Sequence, residues 1–290
     1  MWIYLKLLLT ALFWGGTFIA GRLIAQSVGP FSAAFLRFAI AVVFLLLLTA
    51  RKMGGLPRVS KAQRMTLFFL GLSGVFAYNA LFFKGLQLIS AGRASLIIAN
   101  NPVFIALFAA LIFKERLSWL KVGGVILSVS GAVIVISKGD LAQLLGGGVG
   151  WGELLIFGCV GSWVTYSLIG KAIMKDLSPL VAVSYSASIG LAALLIPALA
   201  EGMVEQIPQY TLLDWGCIAY LGVFGTVLGF VWYYEGIKAL GPTKAGQFIN
   251  FVPVCAILLA YFILGEPVTP SLLVGAGFVV SGVWLTNLKS

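Results

Sequence analysis

Two prolines stand inside long apolar runs, and carboxamides come just before each. Asn100 and Asn101 precede Pro102; Gln247 and Asn250 precede Pro253. A carboxamide brings two N–H donors and an acceptor oxygen that must all be satisfied. Inside an apolar run it has to meet another helix, a water-filled cavity or a ligand. The chemistry on offer is reversible hydrogen bonding to a solute rather than bond making. The bland alternative is a helix–helix hydrogen bond, worth about 0.6–2 kcal/mol. Each proline removes one backbone donor and frees the carbonyl four residues earlier, at Ile98 and Ile249. Interrupted apolar helices at corresponding places are a pointer to a solute site, so Pro102 and Pro253 are candidate hinges. Gln247, Asn250 and Val254 share one helical face by three- and four-residue spacing.

Aromatic residues supply the other candidate lining. Trp14, Tyr78, Trp163, Tyr166 and Tyr233 lie within apolar runs, and Thr17 shares a face with Trp14. Indole and phenol tips need a polar partner when buried, so each either packs on a neighbour or touches a solute. Trp2, Tyr4, Trp119, Trp151, Tyr210 and Trp215 fall at run ends and read as an interfacial belt. Arg37 is the one clearly intramembrane charge, about two turns into its run. It either snorkels to the interface or holds a carboxylate or backbone carbonyl in the bundle. No Asp or Glu falls at mid-run. Glu115 and Glu266 sit at run ends and read as end caps. Glu153 is the acid nearest a pathway.

The missing residues exclude whole classes of activity. The chain has no histidine, the residue most used for proton transfer and metal binding. Cys159, Cys217 and Cys255 have no metal-ligand spacing. No metal, cofactor or catalytic residue is expected, and a phosphate-binding Gly-x-x-x-x-Gly-Lys-Ser/Thr loop is absent. An enzyme and a nucleotide-driven pump are both disfavoured. A channel would want rings of polar or charged lining, and the amides here are scattered.

These residues need a scaffold that lipid can solvate. Of 290 residues, 61% are hydrophobic and 10% charged, against about 25% charged in a soluble domain. At about 20 apolar residues per span, ten helical spans fit: 3–25, 31–50, 64–83, 89–113, 118–137, 151–171, 179–200, 212–234, 241–264 and 270–288. The first is expected to remain as a helix rather than be cleaved as a leader. The fold class is an all-α integral membrane protein. With the N-terminus inside, 14 Lys and Arg fall on the cytoplasmic side and 4 outside, which puts both termini in the cytoplasm. The net charge of +10 forms no basic stripe, so no nucleic-acid partner is expected.

The two halves match at an offset of 151 residues: Gly85 with Gly236, Ala94 with Ala245, Pro102 with Pro253, Glu115 with Glu266, Gly124 with Gly275, Gly131 with Gly282. Earlier in each half the offset is about 149, as for Trp14 with Trp163 and Pro30 with Pro179. Residues 1–138 and 151–290 are expected to be two five-helix repeats joined by a linker at 139–150. An odd helix number inverts the second copy, a build typical of secondary transporters. Small-residue stripes around Gly71, Gly124 and Gly275 suit helix packing within one protomer, so a monomer is expected over a dimer.

Specific runs resemble a known family. Phe13-Trp14-Gly15-Gly16-Thr17-Phe18 and Leu36-Arg37-Phe38 are similar to the first two helices of the drug/metabolite transporter superfamily. The segment from Gly85-Leu86 through Ala91-Gly92-Arg93-Ala94 to Asn101-Pro102 and Lys114-Glu115-Arg116 resembles the repeated EamA-type pattern. A second copy runs from Gly236 through Gly241-Pro242-Thr243-Lys244-Ala245 to Pro253 and Gly265-Glu266-Pro267. The resemblance implies a ten-helix bacterial inner-membrane exporter of a small-molecule solute such as an amino acid. Lipid would be its main surroundings, with no obligate protein partner. It also implies a structural or gating role for Arg37. The alternatives are a multidrug or organic-cation carrier, which would want an embedded acid, or a channel-like facilitator.

Overall fold

In lipid every backbone polar group must be satisfied internally, and every regular element described in this computed structural model is helical. The described residues are 2–113, 119–137, 150–241, 245–246 and 248–287. They form α1 (Trp2–Ile24), α2 (Pro30–Met53), α3 (Lys61–Leu88), α4 (Ala91–Ile98), α5 (Asn101–Phe113) and α6 (Trp119–Ile136). Then follow α7 (Trp151–Ile173), α8 (Pro179–Ala200), α9 (Leu212–Leu240), α10 (Phe248–Leu264) and α11 (Pro270–Asn287). Six of them, α1, α2, α3, α7, α8 and α9, are long and apolar enough to cross a membrane. Shorter apolar helices lie within α6, α10 and α11. Large apolar side chains such as Leu47, Leu111, Ile196 and Phe262 are exposed on the outside, as a lipid-facing surface requires.

Elements about 150 residues apart start alike. Both α2 and α8 begin on a proline, which is pre-organised for the first helical turn. α3 starts from a Ser60–Gln63 capping box and α9 from a Thr211–Asp214 one. Each of these two helices carries a wider π-helical stretch, Gly71–Ala77 in α3 and Leu221–Leu228 in α9.

Three boundaries depart from the sequence expectation. The run at 64–83 extends to Leu88, and the run at 212–234 extends to Leu240. Charged residues that look like run ends are accommodated inside the helices: the Lys84 ammonium lies 4.8 Å over the Phe31 ring, and Glu235 pairs with Lys6 at 2.6 Å. The run at 89–113 splits into α4 and α5 at Ala99–Asn100. Tyr210, expected in an interfacial belt, is buried.

Packing repeats the offset. α2 lies on the π stretch of α9, and α8 on the π stretch of α3. A Cβ at Gly71 would stand 2.7 Å from the Ser186 carbonyl oxygen, and one at Gly222 would stand 2.8 Å from that of Arg37. α6 pairs with α11, where Gly131 meets the Gly275 carbonyl and Gly282 meets that of Gly124. Only glycine lets backbones approach this closely.

The bundle has two distinct ends. At one, Arg22 donates to the Leu86 carbonyl and Gln87 donates to that of Ala25, so the end of α1 meets the end of α3. Just beyond, Arg93 at the head of α4 pairs with Glu153 at the head of α7, at 3.0 Å. Glu266 accepts from the Ala91 and Gly92 amides, capping α4. Glu201 caps α2 in the same way through Phe31 and Ser32. The opposite end holds Lys6 and Glu235.

Candidate functional site

A cavity lies where α1, α2, α3, α4, α5, α7, α9 and α10 converge. Trp14, Thr17 and Phe18 of α1 form one wall. Arg37 of α2 and Tyr78, Asn79 and Phe82 of α3 form the next. Ile98, Asn101, Ile249 and Val252 come from the two interrupted helices, and Trp163 and Phe230 complete the lining. Its volume is about 40 Å³, room for a few waters and far below the roughly 300 Å³ at which ligand pockets begin. Solute entry therefore requires the walls to part.

The aromatic wall is tightly interlocked. Trp14 and Trp163 meet edge to face, with centroids 5.3 Å apart. Trp163 also packs against Tyr78 at 5.4 Å and against Phe230 at 5.3 Å. Trp14 donates its indole N–H to the Gly225 carbonyl at 2.9 Å, and Thr17 donates to the Trp14 carbonyl. The Trp163 indole nitrogen is buried and has no hydrogen-bond partner among the described residues.

The polar wall centres on Arg37, whose position resolves the choice between interface and interior. The side chain is 4% exposed and stays in the bundle. Among the described residues it holds neither a carboxylate nor a backbone carbonyl. Nη1 donates to Asn79 Oδ1 at 3.0 Å, while Nη2 and Nε donate to Thr226 Oγ1 at 2.8 and 3.3 Å. Thr226 in turn donates to the Leu221 carbonyl five residues back, a reach that suits the π stretch. Asn79 is fixed by donating to Val75.

The two neighbouring asparagines differ sharply. Asn100 is wholly buried and turned away from the cavity. Its Nδ2 donates to the Leu96 and Ile97 carbonyls, ending α4, and its Oδ1 accepts from Ser128. Asn101 lines the cavity, and its buried Oδ1 has no partner among the described residues. Pro102 then heads α5, and Pro253 sits near the head of α10 just after a 3₁₀ turn at Phe248–Asn250. Pro102 begins a helical piece rather than bending a continuous one, and Pro253 falls where α10 passes from its opening 3₁₀ turn into α-helix.

The remaining expected residues lie elsewhere. Tyr166 is buried behind the cavity, stacked on Tyr234 at 5.1 Å. Tyr233 backs Trp14 and Trp163, at 5.2 and 5.7 Å. Asn250 is half-buried outside the lining, its Oδ1 unpartnered among the described residues. Gln247 lies outside the described residues, as do Glu115 and Arg116. Glu153 pairs with Arg93 away from the lining. Sequence reasoning missed Asn79 and Thr226, which fix Arg37; each is flanked by apolar residues, with no spacing to flag it. A larger hollow of about 790 Å³ opens at the Arg93 end, where Arg93 and Glu266 already hold helix ends.

The EamA-like transporter family matches residues 1–137 and 150–288. The chain belongs to the EamA-like transporter family, a branch of the drug/metabolite transporter superfamily, and is a multi-pass membrane protein. It is 30% identical to the uncharacterized transporter YyaM of Bacillus subtilis (strain 168), over 97% of this chain and 92% of that protein. It is 28% identical to a probable terminal-alkyne amino-acid exporter of Streptantibioticus cattleyicolor, over 98% of this chain and 93% of the exporter. A crystal structure 20% identical in sequence shares the fold, with a TM-score of 0.67 over 98% of this chain and 96% of the other.

Proposed function

We propose that the protein is a secondary transporter that exports a small metabolite of the amino-acid type by alternating access. It would work as two inverted five-helix repeats, 1–138 and 151–290, with ten spans and both termini in the cytoplasm of a bacterial inner membrane. One observation carries this reading: the cavity is bounded by residues that match across the halves. Trp14 faces Trp163, Ile98 and Ile249 both line it, and so do Asn101 and Val252. A site built on such pairs sits between two half-bundles that can exchange roles. The matched close approaches at Gly71 and Gly222 add support, as does the family match to each half. The amino-acid class is drawn from the Streptantibioticus cattleyicolor relative. Small-residue stripes occupied inside the chain, as between α6 and α11, favour a monomer.

Counterflow in proteoliposomes tests the reading. Liposomes preloaded with unlabelled amino acids should accumulate the labelled solute transiently, with saturation. Flux that fails to saturate and ignores solute on the far side would instead indicate a channel.

A further inference from the structure

We propose that Arg37 anchors a carboxylate of the transported solute, so that the cavity selects amphipathic carboxylates over organic cations. The proposal rests on reading this cavity as the transport site. A guanidinium keeps its charge in a protein, and a buried charge is costly unless it is paired. Arg37 is buried, yet its hydrogen-bond partners, Asn79 and Thr226, are both neutral, and beside them its guanidinium has the Phe38 ring at 5.2 Å. They take three of its five N–H bonds. One N–H on each terminal nitrogen is left without an acceptor among the described residues, in a cavity wall. Two N–H groups on one guanidinium match the two oxygens of a carboxylate.

Among the described residues no carboxylate pairs with Arg37. Glu153 holds Arg93 and Glu235 holds Lys6. Glu201 and Glu266 cap helices, and Asp214 accepts from Ser27 and Thr211. The place of a counterion beside Arg37 is thus left for a solute carboxylate.

Two residues of the lining carry further buried polar groups with no hydrogen-bond partner among the described residues. The Trp163 indole N–H is a second donor for a carboxylate, and Asn101 Oδ1 is an acceptor for a solute N–H. Their halves of origin sharpen the point. Arg37, Asn79 and Asn101 all come from the first half, and their counterparts at the repeat offset are Ser186, Phe230 and Val252. The cationic and amide groups of the lining come from the first half, together with Trp14, Phe18, Tyr78 and Phe82, whereas the second half contributes Trp163, Phe230, Ile249 and Val252. A solute with a carboxylate, an N–H group and an apolar or aromatic body satisfies all of it.

Three probes of one shape test this: 3-phenylpropionate, L-phenylalanine and phenethylamine, added to the full-length protein. Quenching of tryptophan fluorescence reports binding without requiring transport. The parent should bind both carboxylates, and phenethylamine about tenfold more weakly or worse. Arg37→Gln should weaken carboxylate binding about tenfold or more, leave phenethylamine unchanged, and be partly rescued by Arg37→Lys. Equal or tighter binding of phenethylamine by the parent overturns the proposal, as does undiminished carboxylate binding by Arg37→Gln. Failure of both carboxylates to bind at millimolar concentration overturns it too. The parent's ranking of the probes decides the matter even where Arg37→Gln yields no folded protein. Carboxylates that bind through Arg37 but show no counterflow would leave the anchor standing and overturn the transport reading. Counterflow of phenethylamine with carboxylates excluded would do the reverse.

Discussion

Asn100 and Asn101 are adjacent, identical in type and opposite in role. The first satisfies its amide on the end of α4 and on Ser128; the second lines the cavity and leaves its oxygen without a partner among the described residues. Removing a buried, satisfied amide costs about 1–3 kcal/mol, so Asn100→Ala should lower thermal stability and folded yield together. Asn101→Ala should keep its stability and lose about tenfold in exchange. Thermal unfolding and counterflow on both variants check this, and the reverse pattern would refute the assignment. The sequence marked both amides because they precede a proline in an apolar run. It could not separate them, because which one turns inward depends on where the helix breaks. Arg37 was legible as an intramembrane charge, but its contacts were not. They rest on Thr226, whose facing follows from the π stretch of α9, a backbone detail with no clear residue signature.

At the scale of elements, α4 and α5 are two pieces of one apolar run, and α10 opens on a 3₁₀ turn in the matching place. Run lengths made most helices readable in advance; the starts of α2 and α8 on Pro30 and Pro179 came from the structure. The breaks were readable too, but as kinks at the prolines. The reason for the difference lies in Asn100, whose side chain ends α4 before Pro102 is reached. A proline in the first helical turn replaces a donor that has no intrahelical partner. Pro102→Ala and Pro253→Ala should therefore change stability by no more than about 1 kcal/mol. They should slow exchange severalfold, because the added N–H lets a helix grow across the break that is proposed to move. Unimpaired exchange in both variants would make the prolines structural only.

For the whole molecule, residues about 150 apart in the sequence make similar contacts, from the glycine approaches of α3 and α9 to the residues that meet in the cavity. What the sequence could not give is which contacts hold the two ends. The halves are joined by Arg93–Glu153 at one end and by Lys6–Glu235 at the other. Under alternating access, releasing one end should open the cavity there and close it at the opposite end. The most direct measurement places a cysteine at Val252 in the cavity wall, with Cys159, Cys217 and Cys255 replaced by Ala. An impermeant maleimide is then applied to each face of oriented proteoliposomes. Glu153→Gln should raise labelling from the Arg93 end and lower it from the Lys6 end, and Glu235→Gln should do the opposite. Labelling that rises from both faces together, or that neither variant alters, would contradict alternating access between the two halves.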